Sequence, residues 1–276
     1  MTPNQFIFKV RRRLMLYVWH VQSALTPDKL ADFPLPHGGR FLYPLKSQIG
    51  KTMFIGGFEN AELAFVRHSL KPGAVFIDVG ANGGIYTVIA ARQVGPTGHV
   101  YAFEPGKKEL EILRKNIEAN GLTNVTVIES AVSRETGTAK LAISTDGAMN
   151  SLAKTQHPDQ QIEEWETVKT ITLDDFALQN SLNTVDFIKV DVEGAEKLVL
   201  DGAKNLLASE GPVTVLFEAM TINVTAFDYS VRDFLSELMM QGLSISYINE
   251  DGTLTGISQV DDRCGRDFWN FVATKQ

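Results

Sequence analysis

Ala74-Val75-Phe76-Ile77-Asp78-Val79-Gly80-Ala81-Asn82-Gly83-Gly84-Ile85-Tyr86-Thr87 sets the architecture of this chain. It opens with a β-branched and aromatic run, the pattern of a strand buried on both faces. An acid follows, then a turn carrying three glycines, then an apolar segment from Ile85 to Ala91 that reads as a helix. Strand, glycine turn and helix open a βαβ unit that binds a ligand at the turn. Without Cβ, the backbone can take φ > 0 and let a ligand approach closely. The helix N-terminus behind the turn aims free N–H groups at an anionic group.

The spacing narrows the ligand. A dinucleotide fingerprint needs glycine at the first, third and sixth turn positions, which here hold Gly80, Asn82 and Ile85. A phosphate loop ends in Gly-Lys-Ser/Thr, and here Gly84 is followed by Ile85 and Tyr86. What remains is Asp78-x-Gly80-x-x-x-Gly84. A carboxylate beside the turn repels a pyrophosphate but suits a ligand end carrying both carboxylate and ammonium. Glu104 closes a second short strand, His99 to Phe103, at the place where an acid grips ribose hydroxyls. Pro105 keeps Glu104 extended and suits the start of a helix from Lys107 to Asn120. The plain alternatives are a structural glycine turn and a solvated strand end.

The order of FIDVGANGGIYT (76–87), YAFEP (101–105), TLDDF (172–176), DFIKVDVEGAEKLVLDGAKNLL (186–207) and VLFEA (215–219) resembles the class I S-adenosylmethionine-dependent methyltransferases. Within them it resembles the FkbM family, from about Phe54 to the C-terminus. The resemblance implies an α/β, Rossmann-like fold: a doubly wound, mostly parallel, seven-stranded sheet over 54–276, with an N-terminal helix and connecting segment over 1–53. It implies S-adenosyl-L-methionine as cofactor. The candidate cofactor residues are Asp78, Gly80, Asn82, Gly84, Tyr86, Glu104 and Asp191. Ser130 and Ala131 follow the third strand, Val125 to Ile128, where many relatives hold adenine with an acid-alanine pair. Here Glu129 stands one place earlier, so Ser130 and the Ala131 backbone are the adenine candidates. Glu59 lies in an acidic segment near the family's cofactor, or simply in a helix N-terminal turn that favours acids.

Strands alternate with helices through Asp186 to Val192, Ala195 to Leu207 and Val213 to Phe217, which implies a parallel sheet with right-handed crossovers. Asp78, Glu104, Asp191 and Glu218 each end such a strand and should gather at one crevice, suited to a sulfonium. Ser244 to Asn249 and Trp269 to Thr274 supply a terminal strand pair, one of them antiparallel. Lys189 alternates with Ile188 and Val190 and is expected to pair with an acid. Lys140 to Ser144 and Val168 to Leu173 read as short strands. The stretch 145–167 between them has no period and reads as a substrate-facing lid. Its Asn150-Ser151 resembles a recurring family pair.

The resemblance implies methylation of a hydroxyl on a sugar or other small metabolite. Glu193 is the first candidate for the base, with Glu218 and His157 behind it. Glu193 could instead cap the helix that follows. No histidine or asparagine completes a ligand set with Asp191 and Glu193, so no metal is expected. The alternatives are a dinucleotide-dependent oxidoreductase and a non-catalytic Rossmann-like binding module.

The chain has 276 residues, enough for one large domain with an extension, and its net charge of −7 argues against nucleic-acid partners. One cysteine, Cys264, excludes an internal disulfide and suits a reducing compartment, the cytoplasm. Nothing near Cys264 suggests an activated nucleophile. Phe6 to Leu25 mixes apolar residues with Lys9, Arg11, Arg12 and Arg13. Its apolar runs are too short for a membrane span, and no convincing cleavage site supports a signal peptide. We expect a helix packed on the domain or on a second subunit, in preference to one lying on an anionic membrane. Residues 26–53 carry Pro27, Pro34, Pro36, Gly38, Gly39 and Pro44 and read as turn-rich connecting chain.

Overall fold

A computed structural model describes residues 3–26, 29–35, 38–145 and 147–275; Pro27 and Pro36 lie outside the described residues. The chain begins with α1 (Pro3–Leu25), a hairpin of β1 (Leu30–Pro34) and β2 (Arg40–Pro44), and α2 (Gln48–Ile55). Next come α3 (Asn60–Ser69), β3 (Val75–Val79), α4 (Ile85–Val94), β4 (His99–Phe103), α5 (Lys107–Ala119) and β5 (Val125–Ile128). β6 (Ala131–Val132), β7 (Gly137–Ser144), β8 (Ile162–Ile171) and α6 (Leu173–Gln179) follow. The second half holds β9 (Phe187–Val190), α7 (Glu196–Asp201), α8 (Lys204–Ala208), β10 (Val213–Glu218), α9 (Thr221–Val224) and α10 (Val231–Met240). It ends with β11 (Ser244–Ile248), β12 (Leu254–Gly256) and β13 (Asn270–Lys275).

The central sheet runs β12-β11-β13-β10-β9-β3-β4-β5. β3, β4, β5, β9 and β10 are mutually parallel, and β13 lies antiparallel to β10 and β11. Seven strands match the expected doubly wound sheet, and the three-residue edge strand β12 is an eighth. From β3 the chain winds outward to β4 and β5, then returns to β9 on the other side. The direction of winding therefore reverses between β3 and β9, and ligands bind beyond the strand ends at such a point.

Both faces of the sheet are covered because neighbouring strand residues point to opposite faces. Ile77, Phe103, Ile188, Val215 and Phe217 pack under α6, α7, α8 and α10. Phe76, Val100, Phe187 and Leu216 pack under α3 and α4. In α10, the buried Val231, Phe234, Leu235 and Leu238 recur at helical spacing and form its inner stripe.

Three segments depart from the sequence reading. Residues 26–53 are not mere connecting chain. Phe41 and Tyr43 alternate inward along β2 and join Phe33 and Leu45 in the core shared with α3 and α4. The Pro-ended strands pair only with each other, where a missing N–H is tolerated. The region after β5 builds a separate three-stranded sheet, β6-β8-β7, so the supposed lid shortens to 145–161. The helix expected over 195–207 breaks in two at Gly202-Ala203. A Cβ on Gly202 would lie 2.3 Å from the Ser133 carbonyl oxygen. Asp174 then starts α8 by accepting the N–H groups of Asn205 and Leu206 at 3.0 and 2.9 Å.

α1 packs on the domain through one face. Trp19 donates its indole N–H to the Leu45 carbonyl at 2.7 Å, and the Lys51 ammonium lies 5.3 Å from the Trp19 ring centre. No helix among the described residues is long and apolar enough to cross a membrane.

Candidate functional site

A cleft of about 250 Å³ opens beyond the C-terminal ends of β3, β4, β9 and β10. The structure brings Gly80, Asn82, Gly84, Tyr86, Glu104, Ser130, Ala131, Asp191, Glu193 and Glu218 to its walls. Gln48, Ile49 and Thr52 of α2, Glu59, and residues 147–152 of the loop after β7 complete it.

The glycine turn is held from several sides. At Gly80 (φ 77°) a Cβ would sit 1.9 Å from the Asp191 carbonyl oxygen, so β9 closes over the turn only because the side chain is missing. Asn82 takes a left-handed backbone (φ 50°), and its Oδ1 accepts from the Gly83 N–H and the Tyr43 hydroxyl, each at 2.6 Å. Its Nδ2 donates to the Gly147 carbonyl at 3.1 Å. Glu104 accepts the Asn82 N–H at 2.7 Å on one oxygen and the Gly106 N–H at 2.8 Å on the other. Burial, with Glu109 adding to it, pushes the Glu104 carboxyl up to about 8 despite these two donors.

Two sequence candidates lie apart from the cleft walls. Asp78 sits within β3, buried under the turn, and accepts the Thr87 hydroxyl at 2.5 Å. It pins the first turn of α4 to the strand, and burial raises it to about 6. The expectation that all four strand-end acids face the crevice therefore holds for Glu104, Asp191 and Glu218 but not for Asp78. His157 closes a local turn, its Nδ1 accepting the Asp159 N–H at 3.2 Å, and it does not line the cleft. Loop spacing alone gave no way to see that this histidine points into its own turn.

At the other end of the cleft one buried ammonium meets a crowd of acids. Lys189 Nζ lies 3.0 Å from the Asp191 carboxylate and 4.8 Å from the centre of the Tyr86 ring. Burial works against the lysine's charge, but Asp191, Glu59 and Glu218 outweigh it and hold the ammonium above its usual range. Glu59 enters α3 in a left-handed conformation (φ 40°) and accepts the Tyr86 hydroxyl at 2.5 Å. Burial first, and then Asp191 and Glu62, push its carboxyl up to about 7. Burial and the neighbouring Asp191 likewise push Glu193 and Glu218 well above the carboxylate range.

Glu193 does not cap the following helix. No side chain caps it; the buried Glu196 instead reaches back to the turn ahead of α7 and accepts the N–H groups of Gly194 and Val192 at 3.0 and 3.3 Å. Glu193 (φ 54°) instead takes a 2.8 Å hydrogen bond from Asn223 Nδ2. Its carbonyl accepts the Ser151 hydroxyl at 2.8 Å, tying the loop after β7 to the site. Tyr43, Glu196 and Asn223 were missed in the sequence. Of the three only Glu196 bonds to near neighbours in the chain, Gly194 and Val192 two and four places earlier, so a local signal exists for it alone.

Glu59, Asp191, Glu193 and Glu218 thus face the single ammonium of Lys189. Burial and like-charge crowding raise Glu59, Glu193 and Glu218, and a cation entering the site would lower them. That donor set, beside a glycine turn braced by Glu104, fits a ligand with a cationic centre and a ribose. Among the described residues no group of three or more His, Cys, Asp or Glu is arranged to hold a metal. Cys264 is buried, and burial pushes its thiol up, away from thiolate chemistry.

Residues 78–242 match the family model described as the methyltransferase FkbM domain. The chain is 26% identical over 208 residues to the 31-O-demethyl-FK506 methyltransferase FkbM of Streptomyces tacrolimicus, covering 64% of this chain and 77% of that one. It is 28% identical over 149 residues to the 2-O-methyltransferase NoeI of Sinorhizobium fredii, covering 50% of this chain and 60% of that one. A shorter match, 43% over 67 residues, joins it to a probable cobalt-precorrin-6B C(15)-methyltransferase of Sulfurisphaera tokodaii. It covers 24% of this chain, which spans only 35% of that relative's length. The family model covers more than half of the sequence, including the glycine turn, Glu104, Lys189 and its neighbours Asp191, Glu193 and Glu218, and the chain belongs to the FkbM family of S-adenosylmethionine-dependent methyltransferases.

Proposed function

We propose that this protein transfers a methyl group from S-adenosylmethionine to a hydroxyl oxygen of a small metabolite or glycan. The observation that carries the reading is one cleft holding both the braced glycine turn and the excess of carboxylate around Lys189. Two of the relatives bear names of O-methylating enzymes. When bound, the cofactor supplies a methyl group on a positively charged sulfur.

In this reading Glu104 holds ribose hydroxyls with the lone pairs left over from its two N–H partners. The turn at 80–84 offers backbone N–H groups to the amino-acid carboxylate, while Asp191 faces its cationic part. Ser130 and Ala131 border the adenine. Tyr86, fixed by Glu59 and Lys189, forms a rigid wall between the cofactor and the acid cluster. Glu193 takes the proton of the acceptor hydroxyl, with Glu218 second. A cation in the cleft lowers both carboxyls, so the base is freed once the site is filled.

Methyl transfer from labelled cofactor to a panel of hydroxylated acceptors, each paired with its hydroxyl-blocked form, tests this. Product should form only on the free hydroxyl. Glu193→Gln should lower kcat by roughly 10²-fold or more while leaving cofactor affinity in place. Equal methylation of blocked acceptors would remove the O-methyl assignment. Thermal stabilisation by a nicotinamide dinucleotide and not by S-adenosylmethionine would favour the oxidoreductase instead.

A further inference from the structure

α1 presents a second face that the domain leaves bare. Leu14, Tyr17, Val18, Val21 and Leu25 recur at i, i+3, i+4, i+7 and i+11, so they share one helix face. They are 62, 70, 36, 40 and 76% exposed. The opposite face carries Trp19 and the buried Ser23, which hold the helix to the domain. At 3.6 residues per turn, Arg11 and Arg13 fall on either side of the bare stripe, and both are exposed. No Asp or Glu occurs anywhere in Pro3–Leu25, although the whole chain carries a net −7. Beyond Leu25 the stripe runs into a cleft of about 690 Å³ lined by Leu30, Met53, Phe54 and Lys29. The acid in that cleft, Asp32, is already paired with Arg40 at 2.6 Å.

We propose that α1 lies on the surface of an anionic lipid bilayer, its Leu14–Leu25 stripe in the acyl boundary and its arginines among the headgroups. An apolar stripe flanked by cations and free of acids is the pattern of a helix that lies in a membrane interface. Each arginine near an anionic leaflet adds attraction that a neutral one does not supply. Tyr17, apolar in its ring and polar at its tip, suits the same depth. A second copy of α1 is a poorer occupant, because it would bring no carboxylate to any of these arginines. The surface stands independently of the methyl-transfer reading.

Flotation of the full-length protein with vesicles of phosphatidylcholine alone, or mixed with phosphatidylglycerol, tests the proposal. Binding should be on the order of tenfold or more tighter to the mixed vesicles and should weaken as salt is raised. The triple variant Tyr17→Ser/Val21→Ser/Leu25→Ser and the double variant Arg11→Gln/Arg13→Gln should each lose roughly tenfold, with unchanged melting temperatures. The double variant touches no packed side chain, so it remains informative should the triple variant misfold. Equal affinity for neutral and anionic vesicles would overturn the proposal. So would a dimer in light scattering that the stripe variants lose, which would give the stripe to a second copy.

Discussion

Asn116, buried on α5, pairs with the backbone of Leu42 as a neighbouring strand would. Its Oδ1 accepts the Leu42 N–H at 2.6 Å and its Nδ2 donates to the Leu42 carbonyl at 2.9 Å. The same Nδ2 reaches the Gly83 carbonyl at 2.8 Å. One side chain thus ties the N-terminal hairpin to the glycine turn, which Tyr43 also touches through Asn82. Asn116→Ala strips partners from three backbone groups. Chemical denaturation should show a loss of about 3 kcal/mol or more, at 1–3 kcal/mol for each of the three stranded groups. A loss below about 1 kcal/mol would mean that water replaces the amide and that the tie is ornamental.

Gly80 and Gly95 both have positive φ, 77° and 67°, yet they should respond differently to alanine. At Gly80 the new methyl would sit 1.9 Å from the Asp191 carbonyl oxygen, whereas at Gly95 it meets nothing within 4 Å. Gly95 (φ 67°, ψ −171°) holds a backbone that essentially only glycine adopts, so Gly95→Ala should cost that strain without a clash, about 1–3 kcal/mol. Gly80→Ala must also push β9 away from the turn, and should cost at least about 3 kcal/mol or prevent folding. Equal melting temperatures for the two variants would contradict the close approach.

Stability should fall as pH rises through neutrality. Asp78 is raised to about 6, Glu59 and Glu196 to about 7, and Glu104 to about 8, burial being the first cause in each. A carboxyl whose pKa is higher in the folded state favours the fold while protonated. Its contribution is whole below the unfolded value near 4 and is lost as pH climbs through the folded value. The ligand-free protein should therefore melt at least about 2 °C lower at pH 8.5 than at pH 6, on the order of 1–2 kcal/mol for a chain of this size. Glu104→Gln should flatten the upper part of that slope. A melting temperature that rises over the same range would show that these groups are ionised in the fold.

Binding a cation should expel protons from the acid cluster around Lys189. Calorimetry of S-adenosylmethionine in buffers of different ionisation enthalpy should report net proton release near neutral pH. The demethylated product, whose sulfur is neutral, should release fewer. Asp191→Asn should weaken the cofactor more than the product, by roughly tenfold for a lost charge contact. Identical proton counts for the two ligands would place the sulfur away from these carboxylates.

His157→Ala should leave kcat and KM within about twofold, because the imidazole serves a turn in the loop and does not line the cleft. A loss of a hundredfold, with a pH profile that loses its limb near neutrality, would return His157 to the reaction.

The architecture was legible from local patterns. Buried parallel strands are continuous apolar runs, and each is punctuated at its C-terminal end by an acid or glycine, so β3, β4, β9 and β10 could be found and their tips placed on one edge. Tertiary packing settled what each tip does. Asp78 and Glu104 look alike in the sequence, each an acid at the end of a strand. In register Asp78 sits opposite Ala102, two places short of Glu104, so Asp78 stays inside its strand against Thr87, whereas Glu104 lies past its strand end and turns to the glycine loop at the cleft. The same holds for 26–53, whose prolines and glycines read as loop although Phe41 and Tyr43 pack under the glycine turn. Hydrogen bonds between residues far apart in the chain, such as Asn116 to Leu42 or Asn223 to Glu193, leave no local periodicity. Their energy depends on excluding water from both partners at once, and only the assembled core does that.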